Sequence, residues 1–232
     1  MFSVTPAHGK TLIFRGLFPE FVGFYYKSST KPAITHLGEK EMNNMDMETN
    51  MNELGGAFMV GWLATHGSLE GALVLAAAWM AIGGAHILPV ITWGHIMTGD
   101  LGDTDAWMGN GMRLLFQVIG AALAIMVATH GGELGPDYAA EAMWEFDMWP
   151  AMGTLAAGAL LWTVYDRCDA WVAAMAVMAT AGAVAYGGAG DMGAALLNSG
   201  DADMAASLVN WVMDGAIAGI GALLATKVPD ML

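Results

Sequence analysis

From Asn52 to Thr226 the chain is a series of apolar runs separated by short polar breaks, and this alternation leaves few folds open to it. The runs cover about 52–66, 69–83, 106–129, 148–165, 169–186 and 204–226. A helix needs roughly 20 apolar residues, range about 17–25, to cross the hydrocarbon of a bilayer. The first two runs are short for that; the other four are long enough. Charged residues make up 13% of the chain and mean hydropathy is +0.50, against about a quarter charged in soluble domains. The expectation is an all-α membrane protein, with the lipid bilayer as its first partner.

Several function classes drop out on composition. A net charge of −14 leaves no basic surface for nucleic acid. The single cysteine, Cys168, allows no intramolecular disulfide. No HExxH, CxxC, P-loop or nucleophile elbow is present, and no metal set stands out. The chain is therefore expected not to be an enzyme and to use no cofactor or metal. The 31 glycines suit helices that pack closely in lipid. The 20 methionines read as flexible packing rather than a metal pathway.

The basic residues set an expected topology, because Lys and Arg collect in cytoplasmic loops near span ends. With six spans and the N-terminus inside, Lys10, Arg15, Lys27, Lys31, Lys40, Arg113, Arg167 and Lys227 all lie inside. Both termini are then cytoplasmic in a multi-pass cell-membrane protein. The outside loops, about 130–147 and 187–203, carry acids but no Lys or Arg. Residues 1–50 hold five of the eight basic residues and read as a cytoplasmic arm or an upstream extension. Residues 51–232 form the membrane domain.

That domain contains an internal repeat, with halves of about 51–130 and 148–227. Half one has ELGGAFMVGWL (53–63), GGAHILPVITWG (83–94) and QVIGAALAIMV (117–127). Half two has PAMGTLAAGALLW (150–162), GGAGDMGAALLNSG (187–200) and VMDGAIAGIGALLA (212–225) in the same order. Three spans per half invert the second copy. Inverted repeats place a site at the bilayer midplane, built from discontinuous helices. Pro89 fits the first turn of a helix, so half-helices are expected at Leu88–Met97 and Gly190–Ser199. Glu53, an acid within a span, is expected to be buried and to hold the backbone of the first loop.

These motifs resemble those of the aquaporin and glycerol-facilitator family, over about residues 52–226. Glu53-Leu-Gly-Gly-Ala57-Phe58 is similar to its first-span E-x-x-G-[TA]-F. Gly84 to Thr92 (GAHILPVIT) is similar to its S-G-A-H-x-N-P-A-V-T loop. Gln117-Val-Ile-Gly120-Ala121 matches its third-span Q-x-x-G-A, and Gly215-Ala-Ile-Ala-Gly219 follows its sixth-span G-P-x-x-G. The resemblance implies six transmembrane helices plus two re-entrant half-helices, and a homotetramer. It also implies that Gly84, Ala85, His86, Ile87, Gly190 and Asp191 line the pore through their backbone. Both Asn-Pro-Ala motifs depart from the family. The first reads Leu88-Pro89-Val90. The second, aligned through the double glycines, reads Met192-Gly193-Ala194, and the arginine that follows it in the family falls on Ala195. A one-residue shift puts Asp191 on the second asparagine and Ala194 on the arginine. The selectivity-filter positions become Ser68, Thr180, Ala189 and Ala195.

The resemblance implies a passive channel for small neutral solutes such as glycerol, urea or ammonia, with water possible. Two other outcomes stay open. One is a closed-pore member with a structural or interaction role, since Leu88 and Met192 donate no hydrogen bonds and an apolar constriction can dewet. The other is an ion channel, since the arginine is missing and Asp191 is near. Among the remaining polar residues, His86 is implied to line the pore and His95 to pack locally. His66 and His130 read as solvated.

Overall fold

The computed structural model describes residues 39–64, 69–131, 142–181, 184, 186–200 and 203–228. Within them the chain forms eight helices and no strand. They are α1 (Glu39–Leu63), α2 (Leu69–Ala81), α3 (Pro89–Thr98), α4 (Thr104–Ala128), α5 (Met148–Arg167), α6 (Ala170–Thr180), α7 (Ala189–Leu197) and α8 (Met204–Lys227). Residues 1–38, His66 and the expected filter residue Ser68 lie outside the described residues.

Local chemistry sets the helix boundaries. The carboxylates of Asp103 and Asp203 each accept two backbone N–H groups at the starts of α4 and α8, and Asp147 accepts one at the start of α5. Side-chain acceptors of this kind satisfy orphan donors of the first turn. Acids in the polar breaks thus start three long apolar helices. α3 begins at Pro89, which needs no donor there, after an extended Leu88.

Two expected boundaries move. The division at residue 50 falls inside α1, which runs unbroken from Glu39. The apolar run 169–186 is helical only to Thr180. α2 and α6 are therefore 13 and 11 residues long, about 20 and 17 Å at 1.5 Å per residue.

α4 and α8 are long and apolar enough to cross a membrane, with window hydropathies of 1.9 and 1.6. Only 33% and 28% of those windows is covered by the rest of the protein. A core helix of a water-soluble protein is mostly buried, so this uncovered apolar surface points to membrane association. Leu115, Leu123, Met126 and Val127 of α4 and Leu208, Ile220 and Leu224 of α8 are among the exposed side chains.

The helices pair in a repeated way. α5 packs on α8, and α1 packs on α4. α3 packs on α8, and α7 packs on α4. α3 also meets α4 as α7 meets α8, and α2 meets α6. Exchanging α1–α4 for α5–α8 maps the α2–α6 pairing onto itself and each of the others onto another; α5 also meets α6 and α3. Glycine sets the closeness of the two long pairs. A Cβ on Gly120 would overlap the Leu54 carbonyl, and one on Gly158 would overlap the Ala218 carbonyl. Gly221 likewise faces the Leu155 carbonyl.

Gly158→Ala should therefore force α5 from α8 and cost about 1–3 kcal/mol. Gly109, on α4, has open space where its Cβ would be. Gly109→Ala should instead be neutral or stabilise by up to about 1 kcal/mol through helix propensity. Unfolding of the two variants in detergent, compared with wild type, checks both signs.

Candidate functional site

The two short helices are each preceded by a bend with the same backbone. Ile87 has φ +65°, then Leu88 is extended and α3 starts at Pro89. Gly187 has φ +67°, then Gly188 is extended and α7 starts at Ala189. The equivalent positions are thus 87 with 187, 88 with 188 and 89 with 189. Asp103 and Asp203, the caps of the helices that follow, keep the same spacing.

This corrects the expected alignment. Met192, Gly193 and Ala194 do not stand where Leu88, Pro89 and Val90 stand; they are one helical turn further on, inside α7. The cause is that glycine pairs do not mark the same backbone position in the two bends. In the first bend the left-handed positions are Gly84 (φ +82°) and Ile87; in the second, Gly187 itself is left-handed. The counterpart of Leu88-Pro89-Val90 is Gly188-Ala189-Gly190, and Asp191 follows it.

A β-branched residue at positive φ is an outlier and needs support from its surroundings. Ile87 receives it from Glu53, which is fully buried. Glu53 Oε2 accepts the Ile87 N–H at 2.7 Å, and Oε1 accepts the His86 N–H at 2.7 Å. The same carboxylate accepts Arg113 Nη1 at 2.6 Å and Gln117 Nε2 at 2.7 Å. Arg113 also donates to the Gly84 carbonyl at 3.0 Å. One acid from α1 therefore ties two residues of α4 to the backbone of the bend. The Ile87 side chain is fully buried, and a Cβ on Gly56 would come within 2.7 Å of it.

The network continues along α3. Gln117 Nε2 donates to Thr92 Oγ1 at 2.9 Å, and Thr92 Oγ1 lies 3.1 Å from His86 Nδ1. Trp79 Nε1 donates to the His86 carbonyl at 3.0 Å. The His86 ring stacks on His95, centroids 4.0 Å apart and planes within 3°. His95 in turn meets the edges of Trp162 and Tyr165.

The second bend is held by close backbone contact. A Cβ on Gly187 would come within 2.6 Å of the Trp211 carbonyl and 3.0 Å of the Gly215 nitrogen. Trp93 of α3 lies against Gly215 as well. Gly215 is thus touched by α3 of one half and by the bend of the other. Gly193 sits on the backbone of Ala121 and Ala122 in α4, and Ala195 is fully buried.

Two cavities flank these bends. One, of about 330 Å³, is lined by Trp79, Gly84, Ala85, Tyr165, Asp166 and Cys168, among others. The other, of about 300 Å³, is lined by Glu145, Asp147, Pro150, Thr154, Val184 and Asp214, among others. They use the last and first turns of α5, so they lie at opposite ends of a helix about 30 Å long. Leu161, which lies between those two turns of α5, belongs to an apolar cluster. It contains Ile87, Val90, Ile91, Leu161, Ala174 and Val177, with Leu88 and Tyr186 packed against it.

The expected site residues fall into groups. Gly84 and Ala85 border a cavity, whereas His86 and Ile87 are buried in the bend. Gly190 and Asp191 are exposed in the first turn of α7, and Ala189 opens that helix. Thr180 ends α6 with its hydroxyl donated to the Ala176 and Val177 carbonyls. Ala195, also expected at the filter, has no exposed surface. Sequence reasoning missed Arg113 as the partner of Glu53. Its signal was the spacing of Arg113 and Gln117, four residues apart on one face of the otherwise apolar stretch 111–128 of α4. It also missed Tyr186 and the stacking of His95. No protein-family model matches the chain, and no curated protein sequence matches it.

Removing one partner of a buried ion pair costs about 3–5 kcal/mol. Glu53→Gln should lose stability of that order, and combining it with Arg113→Met should lose less than the sum of the two single changes. A double-mutant cycle on unfolding in detergent measures this. Gly187→Ala should be severely destabilising, through both its φ and the Trp211 carbonyl. Gly190→Ala, which has open space, should stay close to wild type in the same assay.

Proposed function

We propose that the chain is a passive membrane channel for small neutral solutes, with six spans and two re-entrant half-helices, α3 and α7, in an inverted repeat. The observation that carries this reading is the matched pair of bends. Each has a left-handed residue, an extended cap and a short helix packed on a long helix of the other half or of its own. Backbone that leaves the helix at membrane depth must be buried in protein or line water. Short helices that start from bends, with a cavity at either end of α5, fit that requirement.

The basic residues support cytoplasmic termini. In that orientation the cavity beside Cys168 opens inward and the acidic one opens outward. The resemblance to aquaporins and glycerol facilitators supplies the solute class, and extends to a homotetramer. The N-terminal ends of α3 and α7 each carry a partial positive charge, which disfavours cations and protons as half-helix dipoles do in aquaporin-type pores.

A second reading is favoured by one observation. Ile87, Leu88 and Tyr186 pack together with Val90 and Leu161 in one apolar cluster beside the first bend. This apolar plug fits a closed-pore protein with a structural or interaction role.

Reconstitution separates the two. Liposomes holding the purified chain should reswell in glycerol or urea faster than empty vesicles, and Leu88→Ala should speed this further. Flux in Leu88→Ala but not in wild type supports the closed reading. Rates equal to empty vesicles in both contradict the channel.

A further inference from the structure

We propose that the paired short helices α2 and α6 form a lipid-facing surface that fits a bilayer locally thinned to about 17–20 Å of hydrocarbon, the length of those helices at 1.5 Å per residue. This rests on the six-span reading above and deepens it.

An undisturbed hydrocarbon core is about 30 Å thick. α2 and α6 have 13 and 11 residues, whereas α4 and α8 have 25 and 24, about 37 and 36 Å. The two short helices pack on each other, so their shortness falls in one place. Their ends also coincide. The last turn of α2 and the first turn of α6 border the same cavity, through Trp79 and through Ala170 and Ala173. Charge marks where each apolar stretch stops. Glu70 is exposed in the first turn of α2, and Asp169 is exposed just before α6. Neither acid has the long stem with which Lys or Arg reaches back to the interface.

The two faces of the pair identify the occupant as lipid. Helices meet one another in a membrane through small residues. The buried faces are of that kind, with Ala72, Ala76 and Ala78 on α2 and Ala173 and Ala174 on α6. The outward stripes instead carry Leu69 and Leu73 on α2 and Trp171 and Met175 on α6, all exposed. A span shorter than the hydrocarbon snorkels, associates or thins the bilayer around it. The short acids do not serve the first and the bulky stripes do not serve the second, so the lipid adapts.

Depth-dependent quenching tests this. In a Cys168→Ser background, a fluorophore on Met175→Cys, the middle of α6, is compared with one on Leu115→Cys, near the middle of α4, in dioleoyl phosphatidylcholine vesicles. Both positions are exposed. Each headgroup plane should lie about 8 Å from Met175, against about 15 Å from the centre of an undisturbed bilayer. The ratio of quenching by a headgroup nitroxide to quenching by a chain-end nitroxide should therefore be about twofold or more higher at Met175→Cys than at Leu115→Cys. Ala77→Cys, at an exposed position on α2, should match Met175→Cys. The difference should shrink in vesicles of the shorter dimyristoleoyl lipid. Thermal unfolding of each variant in detergent, against Cys168→Ser, reports that it is folded. Equal ratios on α6 and α4 overturn the proposal and leave the six spans standing. So does a Met175→Cys label shielded from lipid nitroxides and from aqueous iodide alike, which places protein on this face. Free quenching by iodide at both Met175→Cys and Ala77→Cys puts these helices in water and overturns the six-span reading, and this inference with it.

Discussion

The carboxylate of Glu53 accepting the N–H groups of His86 and Ile87 is the contact on which the rest of the first half depends. These are backbone donors of a segment that is neither helix nor strand, buried among apolar side chains. Left unmade, each costs about 1–3 kcal/mol. The acid satisfies both at once, and Arg113 and Gln117 supply it with positive charge and a further donor. The left-handed Ile87 is stable only within that arrangement. The direction of α3, and with it the place of Leu88 in the apolar cluster, follows from it.

The second bend reaches the same backbone path by another means. Gly187 adopts the left-handed conformation without a Cβ penalty, and it presses on the backbone of α8 at Trp211 and Gly215. One half thus uses a buried polar network and the other uses close packing. The difference has a chemical consequence. The first bend brings a fully buried Ile87 and a partly buried Leu88 to its helix start, and the second brings glycine and an exposed aspartate. The two ends of the proposed path are unlike in size, polarity and charge, although their backbones match.

Much of this was legible in the sequence, for physical reasons that differ by element. Pro89 and its preceding glycines mark the start of α3 to within a residue, because proline is tolerated in few other places in a helix. The long apolar runs mark α4, α5 and α8, and Asp103, Asp147 and Asp203 stand at their caps. Glu53 was visible as an acid in an apolar run. Its partner Arg113 was not singled out, because the two are 60 residues apart and only the packing of α1 on α4 joins them. The register of the second bend was misread by one turn. Five glycines in fourteen residues allow several alignments, and φ, not residue type, decides among them. The end of α6 at Thr180 was also hidden, since 170–186 carries no charge and no breaker but glycine.

A channel of the proposed kind requires its two halves to enter the membrane from opposite sides. Side-specific labelling tests that directly. Cysteines introduced at Leu101, just after α3, and at Ser199, just after α7, are both at exposed positions. In a Cys168→Ser background, a membrane-impermeant maleimide added outside intact cells should label Ser199→Cys and spare Leu101→Cys until the cells are opened. Labelling of both from the same side would contradict the inverted arrangement and the channel built on it.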